Sequence, residues 1–357
     1  MQAKRIKLPF KAKKAILSLG SQAKNTACFL QGEFAYLSRL HPDLSNPDDF
    51  FSFEKDVKYF LRKKPKIIAH DLHSEYQSTK YALSLPTTYC LLPTQHHHSH
   101  IVSCMIDNGL RNQKVIGVAF DGTGLGTDNT IWGGEFLLCD YKDFQRAAYL
   151  KPVPLLGGER AILEPWRLAA VWADKAKNQR KWQVLKKMQA ANFNSPLTSS
   201  MGRLFDAAAS LILDKDRAKF EAELAIELEK LAFSYQLSAI SYKFKINKSG
   251  NEYILDPSLM FEGIAADLSK KIPKNEIAYK FHLTVAGMLQ KTCALLKKKS
   301  KIKKVVLSGG VFQNKLLLGL TAGLLKKSGF RIFTQQALSC NDSALSLGQA
   351  VIANYRS

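Results

Sequence analysis

The run Val115-Ile116-Gly117-Val118-Ala119-Phe120-Asp121-Gly122-Thr123-Gly124-Leu125-Gly126-Thr127-Asp128 decides how this chain is read. Residues 115–120 are apolar and of strand length, and Asp121 stands where the strand ends. Gly122, Gly124 and Gly126 permit positive φ and let backbone amides approach a phosphoryl oxygen. Thr123 adds a hydroxyl, and Asp121 offers a carboxylate to a divalent cation. The plainer reading is a tight β-hairpin turn, because the chain leaves it as another apolar strand over 135–139. The spacing is that of neither a Walker loop nor a Rossmann fingerprint.

Working outward, a similar order occurs upstream: an apolar run at 15–19, a small polar turn at 20–26, and apolar stretches at 27–30 and 34–37. Two such units suggest two similar lobes clamping a phosphate chain between hairpin turns, with ordinary hairpin grammar as the competing explanation. Helical spacing is expected at 53–61, 74–83 and 96–110, and a buried strand at 65–69. The middle, 164–231, is dominated by helical periodicity, clearest at 203–213 and 219–231. The tail reads as helix 277–296, strand 305–307, turn 308–310, helix 315–327, strand 331–333 and a closing helix from Asp342. The expected division is an N-terminal lobe over 1–150 with phosphate turns and a histidine helix, a helical insert over 151–235, and a C-terminal lobe over 236–357 with a double-glycine turn.

With 357 residues, 46% hydrophobic and 23% charged, the chain can bury a core for two lobes, which excludes disorder for its bulk. No run approaches the roughly 18 apolar residues of a membrane span, and the basic start over 1–10 lacks the apolar segment of a signal peptide. A cytoplasmic protein with no membrane partner is expected. The six cysteines form no CxxC pair and read as reduced, mostly buried thiols. The net charge of +22 would suit nucleic acid or an anionic partner. Its lysine clusters at 11–14, 63–66, 175–187 and 297–304 lack interleaved aromatics, so solvated faces are favoured over nucleic-acid recognition.

Gln95-His96-His97-His98-Ser99-His100 places His96 and His100 four apart, on one helical face. Imidazole pairs suit zinc, iron, manganese or nickel, although histidines also cluster in ordinary hydrogen-bond networks. The strand over 305–307 runs into Ser308-Gly309-Gly310 and on to Asn314, where backbone can touch a nucleotide or where glycine merely serves packing. Ser200-Met201-Gly202-Arg203-Leu204-Phe205-Asp206 and Phe220-Glu221 put acids on helical segments; these could hold ribose hydroxyls or be solvated carboxylates. Asn341-Asp342 reads as a helix cap. Only the combination of His96, His100, Asp121 and Asp342 turns separate weak signals into one metal site.

Asp71-Leu72-His73, residues 95–100, Phe120-Asp121-Gly122-Thr123-Gly124, Ile131-Trp132-Gly133-Gly134-Glu135-Phe136, Glu164-Pro165-Trp166-Arg167, Gly202-Arg203-Leu204-Phe205-Asp206 and residues 307–314 together resemble, in this order, the C-terminal carbamoyl-transfer module of the hydrogenase maturation protein family HypF. The resemblance covers about 17–350 and implies an α/β, actin-like and sugar-kinase-like two-lobed ATPase fold with a helical insert. It implies a metal, iron or zinc, on His96, His100, Asp121 and Asp342. It places Gly122, Thr123 and Gly124 beside phosphates, and Gly202, Asp206, Glu221, Gly309, Gly310 and Asn314 around the nucleotide. The family's other modules make carbamoyl-adenylate from carbamoyl phosphate and ATP, and this module passes the carbamoyl group to a C-terminal cysteine of HypE. A HypE-like acceptor and a separate YrdC-like activating protein are therefore expected partners. The chain departs from the family pattern at 20–24, where a GGELK-like run is usual, at Ser74-Glu75 for Pro-Asp, at Glu221-Ala222-Glu223 for Glu-Gly-Gln, and at Asp342-Ser343-Ala344 for Asp-Gly-Gly.

The expected chemistry is acyl transfer, with Lys24, Asn25 and His73 as candidates for neutralising phosphate charge or moving a proton, against structural hydrogen bonding. Competing readings are a small-molecule O- or N-carbamoyltransferase, an ATP-dependent kinase of the same fold, and a tRNA-modification partner. The histidine pair disfavours the kinase, since Mg²⁺ sites are built from oxygen.

Overall fold

The structure, a computed structural model, describes residues 3–173, 179–235 and 240–357. Two mixed sheets organise it. The first runs Lys4–Lys7, Phe34–Leu37, Cys28–Gln31, Ile16–Ser18, Ile67–Asp71, Cys90–Thr94. The second runs Lys245–Ser249, Glu252–Asp256, Phe144–Leu150, Gly134–Cys139, Val115–Phe120, Lys304–Ser308, Arg331–Phe333. Without the outermost strands the two orders coincide. Each has a three-stranded antiparallel meander whose first strand pairs in parallel with a fourth, and the fourth with a fifth. Ile16–Ser18 and Val115–Phe120 hold the same place in this duplicated order. It is the α/β, actin-like and sugar-kinase-like architecture that the resemblance implies, with two lobes built on one plan.

The lobes are held by an exchange of helices. The helix His96–Asp107 follows the last strand of the first sheet but packs on Val115–Phe120 and Lys304–Ser308 of the second. The helix Leu345–Arg356 follows the last strand of the second sheet but packs on Ile16–Ser18, Cys28–Gln31 and Ile67–Asp71 of the first. The two helices also pack on each other, joining Ile101, Val102 and Met105 to Leu347, Val351 and Ile352 in one buried cluster. Glycine makes this crossing possible, because a Cβ at Gly348 would collide with the carbonyl oxygen of Ser99.

Several elements differ from the sequence reading. The basic start contains a strand, Lys4–Lys7, on the edge of the first sheet, where its lysines stay exposed and only Ile6 turns inward. Charged side chains are usual on such edges and hide the strand signal. The charged segment Lys245–Ser249 is likewise a strand, at the far edge of the second sheet, and Glu252–Asp256 is the strand between it and Phe144–Leu150. The helix expected at 53–61 begins earlier, at Pro47, because the Asn46 side chain accepts from the amides of Asp48 and Asp49. The helix expected at 219–231 is Glu223–Phe233, preceded by Ala222 in the left-handed region. Lys175 and Lys177 of one basic cluster lie outside the described residues. Cys28, Cys104, Cys139 and Cys293 are buried, and Cys90 is exposed.

Between the sheets' strands the chain adds Arg160–Leu163, Trp166–Ala173, Gln179–Ala190, Met201–Leu213 and Glu223–Phe233. Gln179–Ala190 sits on a small cluster of its own, Leu156, Ala170, Trp182 and Leu185. Met201–Leu213 instead buries Leu204, Phe205, Ala208 and Ile212 in the main core, with Phe281 edge-on to Phe205. No described helix is long and apolar enough to cross a membrane.

The helix crossing gives a direct test. Gly348→Ala should destabilise the protein by about 2–3 kcal/mol, the usual cost of overpacking a rigid contact, read as a lower denaturant midpoint at unchanged slope.

Candidate metal and nucleotide site

Gln95 caps the histidine helix by accepting from the His98 amide, so His96 and His100 emerge from its first turns. All four histidines over 96–100 are buried. His96 and His100 turn toward Asp121, at the end of Val115–Phe120, and Asp342, just before Leu345–Arg356. One ligand atom from each of the four lies within 4.8 Å of all the others. His100 Nε2 is 2.8 Å from Asp121 Oδ2 and 3.3 Å from Asp342 Oδ1. His96 Nε2 is 3.9 and 3.8 Å from the same oxygens.

His96 Nε2, His100 Nε2 and Asp121 Oδ2 are buried without a partner in hydrogen-bonding geometry among the described residues. Such groups are costly unless something else satisfies them. Two imidazole nitrogens and two carboxylate oxygens converging on one point fit a divalent ion of the zinc or iron type better than magnesium. Asp71, at the end of Ile67–Asp71 and fully buried, holds His96 from behind, with Oδ2 2.8 Å from Nδ1. That leaves Nε2 for the ion, the usual carboxylate–histidine support. Sequence reading had passed over Asp71 as a site residue; its signal was an acid ending an apolar strand, as at Asp121.

Burial opposes charge on His96, but Asp71 and Asp342 outweigh it and hold its pKa well above the ordinary imidazole value. His100 is raised in the same way, chiefly by Asp121 against burial. For Asp342, burial is outweighed by both imidazoles, which hold its pKa well down.

The glycine turns close around Asp121. Its Oδ1 accepts from the amides of Gly122, at 2.8 Å, and Gly310, at 3.2 Å. Its carbonyl accepts from the Gly202 amide at the start of Met201–Leu213 and from the Ser200 hydroxyl. Gly202 sits so close that a Cβ there would lie 2.9 Å from Gly122 Cα. Gly309 has φ +103 and faces the Phe120 carbonyl, a position only glycine fills. Thr123 is exposed on the turn, with Gly124 buried against His96 and His97.

Asp206 is buried, 2.8 Å from Arg203 Nε, and Arg203 also reaches Glu221 at 3.3 Å. Burial pushes the Asp206 pKa up to about 6, with Arg203 pulling the other way and Glu221 adding to the rise. Glu221 lies in the segment before Glu223–Phe233, not on a helix, and beside Gly122, where a Cβ would come 2.8 Å from its Oε1. These groups therefore lie beside the turn that begins at Gly122. Asn314 caps Lys315–Lys327 by accepting from the Leu317 amide, and its Nδ2 faces His282 at 3.0 Å. Asn25 spends its amide on the carbonyls of Leu19 and Ser21, closing the turn of the first lobe. Lys24 is exposed at φ +49. His73 stacks on Tyr76 at 4.3 Å, and its backbone amide donates to Asp71 Oδ1.

Two outcomes follow from this geometry. The four-residue set should bind about one divalent ion per chain and release about two protons per ion, since both imidazoles are protonated at mildly acidic pH. Affinity should therefore fall as pH drops, and Asp71→Asn should weaken it about 10- to 100-fold; calorimetry in buffers of different ionisation heat counts the protons. In the metal-free chain the sign is opposite. The raised imidazoles stabilise the fold fully below the ordinary histidine value, and this is lost as pH rises through the elevated one. Ala222 has φ +65 and stands where the family pattern carries glycine. Ala222→Gly should therefore raise stability by about 1 kcal/mol, read from thermal unfolding.

A family model described as "Carbamoyltransferase, Kae1-like Domain, second subdomain" matches residues 117–349, and the "HypF Kae1-like domain" matches 11–107. The chain is 34% identical to "Carbamoyltransferase HypF" of Synechocystis sp., over 96% of this chain and 48% of the relative. It is 35% identical to "Carbamoyltransferase HypF homolog" of Cupriavidus necator, over 95% of this chain and 91% of the relative. Among solved structures it is similar to a full-length HypF in the phosphate- and nucleotide-bound form, with TM-score 0.92 and 39% identity over 98% of this chain and 57% of that one. T. kodakarensis HypF superposes with TM-score 0.87 at 27% identity, over 99% of this chain and 48% of that one. The chain spans about half the length of the Synechocystis relative and nearly all of the shorter Cupriavidus homolog. With both halves of the fold matched in order, the chain belongs to the HypF carbamoyltransferase family and carries its Kae1-like module.

Proposed function

We propose that this module catalyses carbamoyl transfer from carbamoyl-adenylate to a cysteine thiol of a HypE-like acceptor in hydrogenase maturation. The observation that carries the proposal is the convergence of His96, His100, Asp121 and Asp342 directly beside two glycine turns whose amides already point at a carboxylate oxygen. The relatives' names, and a similar structure described as phosphate- and nucleotide-bound, support the same reading. The four residues would hold iron or zinc, which when bound supplies a Lewis acid beside the phosphate.

The chain's own groups do the remainder. The turn over Gly122, Thr123 and Gly124 holds the phosphate through the amides of Thr123 and Gly124, that of Gly122 being given to Asp121. Gly309 and Gly310 let the nucleotide lie against backbone, and Gly202 keeps the helix start tight against that turn. Asp206 and Glu221 receive ribose hydroxyls, and Asn314 acts by fixing the turn that precedes its helix. The acceptor sulfur attacks the carbamoyl carbon. A C–S bond forms, the bond from that carbon to the phosphate oxygen breaks, AMP leaves, and the thiol proton passes to His73. We assign Lys24 to the phosphate charge and His73 to the proton, with Asn25 holding the turn that presents Lys24. The carbamoyl-adenylate comes from a YrdC-like activity, on the same polypeptide or on another, and the reaction is placed in the cytoplasm. Nucleic acid is not assigned a part in it.

The test supplies the protein with enzymatically generated carbamoyl-adenylate and a HypE-like acceptor, and follows the acceptor's mass. Wild type should add one carbamoyl group per acceptor, and His96→Ala with Asp342→Ala should reduce the rate about 100-fold or more. ADP formation on a small hydroxyl substrate, with no acceptor modification, would instead establish the kinase reading.

A further inference from the structure

One histidine of the buried run is left over by this chemistry. His96 and His100 face the cluster, and His98 Nε2 lies 2.7 Å from the Asp140 carbonyl. His97 is fully buried, and its Nε2 has no partner among the described residues. Its hydrogen-bonding state follows from its neighbours. Gln95 Oε1 accepts from the His98 amide at 2.8 Å, which turns the other end of that side chain, Nε2, toward the Leu125 carbonyl and His97 Nδ1, at 3.2 and 3.1 Å. A carbonyl can only accept, and an amide nitrogen can only donate, so His97 Nδ1 is the acceptor of the pair. The ring's hydrogen then sits on Nε2.

That N–H lies against the phosphate turn. A Cβ added at Gly124 would be 2.5 Å from His97 Cε1 and 3.1 Å from Nε2, so glycine there is what lets the ring touch the turn. On its other side the ring faces Trp132 at 6.2 Å, and the Trp132 N–H is already spent on Asp128. A buried donor without an acceptor costs free energy that a ligand oxygen can recover. Gln95 is itself tied to the helix start, so the donor is held in place before any ligand arrives.

We propose that His97 is a ligand-binding residue whose Nε2–H donates to a phosphoryl oxygen of the group held by the turn over 122–126. The assignment rests on the proposed function, and it adds a neutral donor, distinct from the metal ligands, that reads phosphate rather than nucleoside. The same oxygen can belong to the nucleotide or to free phosphate.

The experiment compares wild type, His97→Phe and His97→Gln, the last keeping an N–H near the position of Nε2. AMP, inorganic phosphate and adenosine are titrated calorimetrically into the metal-loaded protein, with metal content measured for each. His97→Phe should lose about tenfold in AMP affinity, the worth of one hydrogen bond to a charged group. Adenosine affinity and metal content should stay unchanged, and His97→Gln should recover most of the loss. Phosphate weakening in parallel with AMP places the contact on free phosphate as well, whereas an effect on AMP alone assigns it to the nucleotide. In ¹⁵N-histidine-labelled wild type the Nε2-protonated signal of His97 should move on adding AMP and not adenosine. Equal losses for AMP and adenosine, or no loss in His97→Phe while wild type binds AMP, would overturn the role of His97 alone. Failure of wild type to bind any of the three ligands would overturn the proposed function together with it.

Discussion

Everything at the centre of this molecule is referred to one residue, Asp121. Its amide donates to the Gly133 carbonyl, and its carbonyl receives the Gly202 amide and the Ser200 hydroxyl. One carboxylate oxygen receives the amides of Gly122 and Gly310, and the other is left facing His100. Hydrogen bonds from backbone amides to a carboxylate are charge-assisted and strong for their size. The group that ends a strand thus fixes two glycine turns and a helix start, and points its remaining oxygen at the histidine pair.

The exchange of helices between the lobes does the rest. His96 and His100 ride on the helix that leaves the first sheet for the second, and Asp342 opens the segment that leads back to the first. Asp71 belongs to the first sheet and Asp121 to the end of the second. A cluster drawn from both lobes exists only when they are packed as observed. An ion bound by all four ligands would favour that packing over any arrangement that parts them. Gly348 and Ser99, where the two helices touch, are therefore as necessary to the site as residues much nearer its centre.

The alternation of short apolar runs with glycine turns made the duplicated meander legible, because period and turn chemistry are local properties. The edge strands Lys4–Lys7 and Lys245–Ser249 were not, because an edge strand faces water and carries charge. Asn25 and Asn314 offered polar groups of the kind a ligand uses, yet their amides are engaged with Leu19, Ser21 and His282. Nothing local to an asparagine says which of these it will do. Glu221 was read onto a helix whose start a left-handed Ala222 delays.

The sequence by itself determined the strand ends, the glycine turns, the one-face spacing of His96 and His100, and the family to which their order belongs, since each depends on neighbours a few residues apart. Only the tertiary structure decided that Asp71 would hold His96 while Asp121 and Asp342 closed the cluster, and that Asp206 would be buried against Arg203. It also decided that His97 would be left with a donor and no acceptor among the described residues. These are distances between residues far apart in the chain, set by how two sheets and two exchanged helices pack, and no local pattern carries them.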